Sequence, residues 1–116
     1  MEVKQVKPFF RATAYGKHDV VQAKSALAEL AEMVASEPGG VLVDVREAAS
    51  HLSLTEIREI LDEFMRLKIS AGRKTAILGP ESRFDNVQFF SVSARSAGLE
   101  VQAFLSFEEA CDWLTL

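Results

Sequence analysis

The chain has 116 residues, 48% of them apolar and 26% charged, with a formal net charge of −4. That is the composition of one globular domain, 1–116, whose folding buries roughly two-thirds of the unfolded surface, and it excludes an intrinsically disordered chain. A mildly acidic sequence with no Lys/Arg run argues against nucleic acid or an anionic membrane as partner, and one cysteine with two histidines offers neither a disulfide nor a metal-ligand spacing, so no metal and no cofactor is expected.

No apolar run approaches the ~20 residues of a membrane span, and the opening "MEVKQVKPFF" lacks the apolar core of a secretory signal. A cytoplasmic protein without membrane insertion is the expectation. In chain order, "EVKQVK" is either a short edge strand or part of the next strand interrupted at Pro8. "FFRATAYG" (9–16) is an aromatic, partly alternating strand that stops at a glycine. Asp19 can cap a helix in which Val20, Ala23, Leu27, Leu30 and Val34 recur at helical spacing, closed by "EPGG".

"VLVDV" (41–45) is apolar except for Asp44, as expected of a strand covered on both faces. Ser53 and Glu56 have the spacing of a capping box, and Leu52 and Ile57 that of a hydrophobic staple. Ile57, Ile60, Leu61, Phe64 and Leu67 form the stripe of the helix that follows, with Gly72 as its closing residue. "TAILG" (75–79) is another buried strand, "GPESRFDN" a loop, and a helix over about 84–97 is closed by Gly98. Its core stripe is Val87, Phe90, Ala94 and Ala97, with Phe89 and Val92 pointing elsewhere. "EVQAF" (100–104) is the last strand. Ser106 and Glu109 repeat the capping-box spacing before a helix carrying Phe107, Ala110, Cys111 and Leu114 on one face.

Short apolar strands alternating with amphipathic helices predict an α/β fold, a mostly parallel four- to five-stranded sheet with about four flanking helices. In such sheets ligands and partners meet the loops at the carboxyl ends of the strands, here 16–19, 46–53, 79–86 and 105–106.

Three segments carry a resemblance: "YGKHD" at the end of one strand, "VLVDVREA" after the first helix, and the closing "VQAFLSFEEACDWL". Together they resemble the SpoIIAA-like family of small bacterial proteins, related in fold to STAS domains. The resemblance covers nearly the whole chain. It implies a four- or five-stranded sheet flanked by helices and a regulatory or binding role. STAS anti-anti-sigma factors carry a phosphorylatable serine at the start of the second helix, in a "D-S-S-G"-like turn. The matching position is Ser53, with Thr55 next, but "HLSLTE" has neither the preceding aspartate nor the following glycine.

Read from the residues, Ser53 is a helix cap whose loss costs ~1 kcal/mol. Ser50 or Ser53 with His51 and Asp44 could make a Ser–His–Asp set on paper, but there is no G-x-S-x-G elbow and all but Asp44 are neighbours in one loop. His18 and His51 read as loop residues, and Cys111 as a packed thiol. A carboxylate at Asp44 needs a partner, either backbone N–H groups of 46–53 or the charge of Lys17 or Arg46. Arg83, beside a helix start, either holds an anion or lies in a solvated loop.

The expectation is a non-enzymatic module that binds a protein partner, through self-association as a homodimer centred on Phe89 and Val92 or through the loops bearing Arg46, Ser50, His51 and Ser53. The alternative is a carrier of a small apolar or anionic, lipid-like ligand in a pocket near residues 46–53 and 79–90.

Overall fold

The structure, a computed structural model, describes residues 2–6, 9–17, 19–35, 37–49 and 51–116. Five strands form one sheet in the order β1 (Glu2–Val6), β2 (Phe9–Lys17), β3 (Gly40–Ala49), β4 (Thr75–Leu78) and β5 (Val101–Phe104). β1 runs antiparallel to β2 and makes the edge; β2 to β5 are mutually parallel. "EVKQV" is therefore an edge strand of its own, and residues 7 and 8, including Pro8, lie outside the described residues. Four helices connect and follow the parallel strands: α1 (Val20–Val34), α2 (Leu54–Arg66), α3 (Phe84–Ser96) and α4 (Phe107–Leu114).

Alternation along the strands divides the core in two. One face of the sheet sends Phe10, Ala12, Val41, Ile77 and Val101 toward Leu30 and Val34 of α1, Leu61 and Phe64 of α2, and Val87 and Ala94 of α3. The other sends Phe9, Leu42, Ala76, Leu78 and Phe104 toward α4, where Ala110, Cys111, Trp113 and Leu114 meet them. Each fully buried large side chain, such as Phe64 or Leu42, contributes about 1.5–3 kcal/mol by leaving water. Among the described residues, α4 is the helix that covers this face. Trp113 packs against Phe104, with ring centroids 5.7 Å apart, and so cannot cover the outer side of α3.

The local start signals hold. Asp19 caps α1 and Gln22 reaches back to the Asp19 N–H, a full capping box. Ser53 and Glu56 make the same reciprocal pair on α2. Replacing Ser53 by alanine should lower stability by ~1 kcal/mol without changing the fold, because one N–H at the start of α2 loses its acceptor; thermal unfolding of the variant checks it. Ser106 caps α4 by accepting from the Glu109 N–H, but the reciprocal bond is absent.

Several boundaries differ from the sequence reading. α2 ends at Arg66, and the left-handed residue just beyond it is Lys68 (φ 57°), not Gly72, which serves the next turn. Ala97 lies past the end of α3 and is exposed; the buried place on that helix goes to Ser91, whose hydroxyl donates to the Val87 carbonyl and so needs no other partner. β3 continues to Ala49, so the first half of the expected 46–53 loop is strand.

The extension of β3 includes a bulge. Thr13 pairs with Asp44 and Tyr15 with Glu47, so two steps along β2 match three along β3. Val45 and Arg46 together stand opposite Ala14. The extra residue changes which parity faces α1–α3, from Val41 and Val43 to Ala48.

Candidate functional site

Past the bulge the core does not close. At the carboxyl ends of β2–β4, a partly open cavity of about 180 Å³ lies between the sheet and α1–α3. The sheet contributes Ala14, Val43, Val45, Ala48 and Ile77. Ala23, Ala26 and Leu27 come from α1, and Leu52, Ile57, Ile60 and Phe64 from α2 and the residues before it. Phe90 of α3 meets Phe64 edge-on at 5.5 Å and closes the space between those helices. Gly79 allows Val87 to sit at the wall, since a Cβ there would stand 2.5 Å from Val87 Cγ2.

Polar groups reach this wall at few points. Thr75 is buried, and its hydroxyl is joined to that of Ser70 at 3.1 Å. Arg83 and Asn86 come from the turn and helix after β4. Arg83 Nη2 donates to the Ala48 carbonyl, which ties the start of α3 to the end of β3. Arg83 is therefore part of the wall and not a solvated loop residue. The cavity touches both segments where a pocket was expected, 46–53 through Ala48 and Leu52, and 79–90 through Pro80, Arg83, Asn86, Val87 and Phe90.

A second polar cluster lies on the opposite face of the sheet. Asp44 is only 2% exposed. Its Oδ1 accepts from the backbone N–H of Arg46 and from Arg46 Nε, both at 3.1 Å; its Oδ2 accepts from Nη2 of Arg46 at 2.9 Å and of Arg11 at 3.3 Å. Burial pushes the Asp44 carboxyl up, but the hydrogen bonds and charge of Arg46, helped by Arg11, outweigh it and hold the group below the usual carboxylate range. The same contact raises Arg46. Arg11 also lies over the Phe107 ring, 4.8 Å from its centroid. Asp44 thus accepts from the N–H at the bulge and from two guanidinium groups. Arg46, one of the two charge partners named from sequence, makes the contact, and Arg11 is an addition that strand pairing alone brings near.

The remaining candidates are dispersed. Ser53 Oγ accepts from Glu56 N–H, His51 is exposed, and Asp44 faces α4 with its arginines, so Ser53, His51 and Asp44 do not assemble as a triad. Ser50 and His18 lie outside the described residues. Thr55 is exposed in the first turn of α2. On α3, Val92 is 49% exposed and Phe89 is half-buried. Burial raises the Cys111 thiol above its ordinary value, which disfavours the reactive thiolate. Among the described residues no group of three His, Cys, Asp or Glu side chains is placed to hold a metal, and no helix is long and apolar enough to cross a membrane.

No family model matches the sequence, and no curated protein does. A solved structure does match: the crystal structure of an uncharacterised DUF3478-family protein with a SpoIIAA-like fold from Shewanella loihica PV-4. It superposes with a TM-score of 0.55 over 97% of this chain and 90% of that one, at 19% sequence identity. The fold is SpoIIAA-like. In this SpoIIAA-like arrangement the cavity occupies the carboxyl end of the parallel strands, where open α/β sheets present their binding surfaces. The Asp44 cluster occupies the α4 side of the same sheet and holds the bulge that shapes the cavity wall.

Proposed function

We propose that the protein is a non-enzymatic binder of a small apolar ligand, held in the cavity between α1–α3 and the sheet. The observation that carries this reading is the cavity itself, about 180 Å³ with a predominantly aliphatic and aromatic lining. A dry apolar cavity of about 150 Å³ takes benzene. At the same packing, 180 Å³ accepts an apolar group of about seven carbons: a single ring or a short acyl chain. Long-chain lipids, for which pockets of ~300 Å³ or more are typical, exceed this volume. Asn86 and Arg83 belong to the lining, and on this reading they would meet a carbonyl or carboxylate at the end of such a ligand.

Size and wall chemistry therefore narrow the lipid-like carrier to a short-chain or monocyclic ligand. A partner surface centred on Phe89 and Val92 has less to stand on. Phe89 is half-buried, and Val92 is the one exposed large apolar side chain on α3. Single exposed apolar residues are ordinary on protein surfaces.

Native mass spectrometry of the protein purified from its own host tests the proposal. The expected result is a retained small molecule, released on mild activation, that raises the melting temperature when added back. A protein that carries no adduct and gains no stability from benzene or from octanoic acid contradicts it.

A further inference from the structure

Nearly every buried apolar side chain among the described residues belongs to one of the two packed clusters, the one under α1–α3 or the one under α4. Four do not: Ala14, Ala26, Ala48 and Ile57. All four line the cavity. Three are alanines, and they come from three different elements, β2, α1 and β3.

Their positions follow one gradient. On the α1–α3 face, β2 runs Phe10, Ala12, Ala14, and β3 runs Val41, Val43, Val45 and then, past the bulge, Ala48. The inward stripe of α1 begins with Ala23 and Ala26 and continues with Leu30 and Val34. Large residues fill one end of the layer, and alanine occupies the other end from both sides. An unfilled apolar space lowers stability in proportion to its volume. A Leu, Ile or Val at these places would fill it, and nothing in strand or helix propensity selects alanine at a strand end such as Ala48.

We infer that Ala26 and Ala48 are specificity-determining residues that set the length of the bound ligand, leaving room within the cavity for an apolar group of about seven carbons. The inference rests on the ligand-binding reading above. Enlarging either residue withdraws volume from the ligand and gives it to the protein. Each methylene excluded from an apolar site costs about fourfold in affinity, so a side chain that displaces three carbons costs about fiftyfold.

The test uses the intact chain, the straight-chain acids from butanoic to dodecanoic, and three variants: Ala48→Ile, suited to a strand; Ala26→Leu, suited to a helix; and Ala28→Leu, exposed on α1 and outside the cavity lining. Affinity is read by calorimetry or NMR titration, and stability by thermal unfolding without ligand. The expected result is a wild-type and Ala28→Leu optimum near hexanoic to octanoic acid. In Ala48→Ile and Ala26→Leu, octanoic acid weakens about fiftyfold, butanoic acid is retained, and the melting temperature without ligand is equal or higher. Unchanged octanoic acid binding in both cavity variants overturns the inference and leaves the ligand reading intact. Loss of folding in both also overturns it, by showing that the alanines are packed against neighbours. No binding of any acid to the wild type overturns the ligand reading itself.

Discussion

Replacing Asp44 by leucine should lower the stability of the fold by about 3 kcal/mol, the low end of the range for removing one partner from a buried ion pair. The carboxylate is buried, but the guanidinium groups of Arg11 and Arg46 keep about a third of their side-chain surface in solvent, so water takes over part of what Asp44 supplies. The backbone N–H of Arg46 loses its acceptor as well, and with it the bulge that turns Ala48 toward the cavity. Asp44→Asn keeps an oxygen for that N–H and should lose less. The pH dependence follows from the depressed carboxyl. With a folded value below the unfolded one, Asp44 gives its full stabilisation above the unfolded value, near pH 4, and loses it as the pH falls through the folded value. Urea titrations of wild type and Asp44→Asn should therefore differ at pH 7 and converge at low pH. A constant gap down to the acid limit would show that Asp44 contributes through shape and not charge.

Arg73→Ala should cost about 2–3 kcal/mol, or ~10 °C in melting temperature for a domain of this size. α1 has no basic residue in its last turn and no glycine at its cap. Its end is held from elsewhere in the chain: Arg73 Nη2 donates to the carbonyls of Val34 at 2.9 Å and Glu37 at 3.2 Å, and Nη1 to that of Gly39 at 2.9 Å. One guanidinium thus satisfies three carbonyls and places a positive charge at the negative end of the helix. Lysine should not restore the loss, because an ammonium does not span three carbonyls as a planar fork does. A melting temperature unchanged in Arg73→Ala, measured by calorimetry, would mean that water caps α1 equally well.

The parts of the structure legible in the sequence are those whose causes are local. Ser53 and Glu56 lie three residues apart, and their capping box forms between them alone. The apolar run at 41–45 and the stripe Ile57, Leu61, Phe64 specify a buried strand and a helix face with little outside help. What the sequence did not disclose depends on contacts between distant elements. The end of α1 is held by Arg73 from beyond α2, a partner that no helix-end rule anticipates. Lys68 adopts the left-handed conformation four residues before the glycine that looked suited to it.

The cavity was only partly legible. Its neighbourhood follows from the parallel sheet, since strand ends and helix starts converge there. Its walls do not, because "ATAYG" and "REAAS" read as ordinary small-residue positions until the bulge at Val45–Arg46 sets their register, and "KSALAEL" reads so until α1 lies over the sheet. Asp44 was the one visible clue: a charged residue in an apolar strand that satisfies a bulge on one face of the sheet while the other face opens.

The most direct test of the central claim is methyl NMR of the Ile, Leu and Val side chains during a titration with benzene. The account predicts saturable shifts at Val43, Ile57, Ile60, Ile77 and Val87, which surround the cavity, and none at Leu42, Leu78 or Leu114 on the α4 face. Shifts confined to the α4 face, or the absence of any saturable shift, would contradict it.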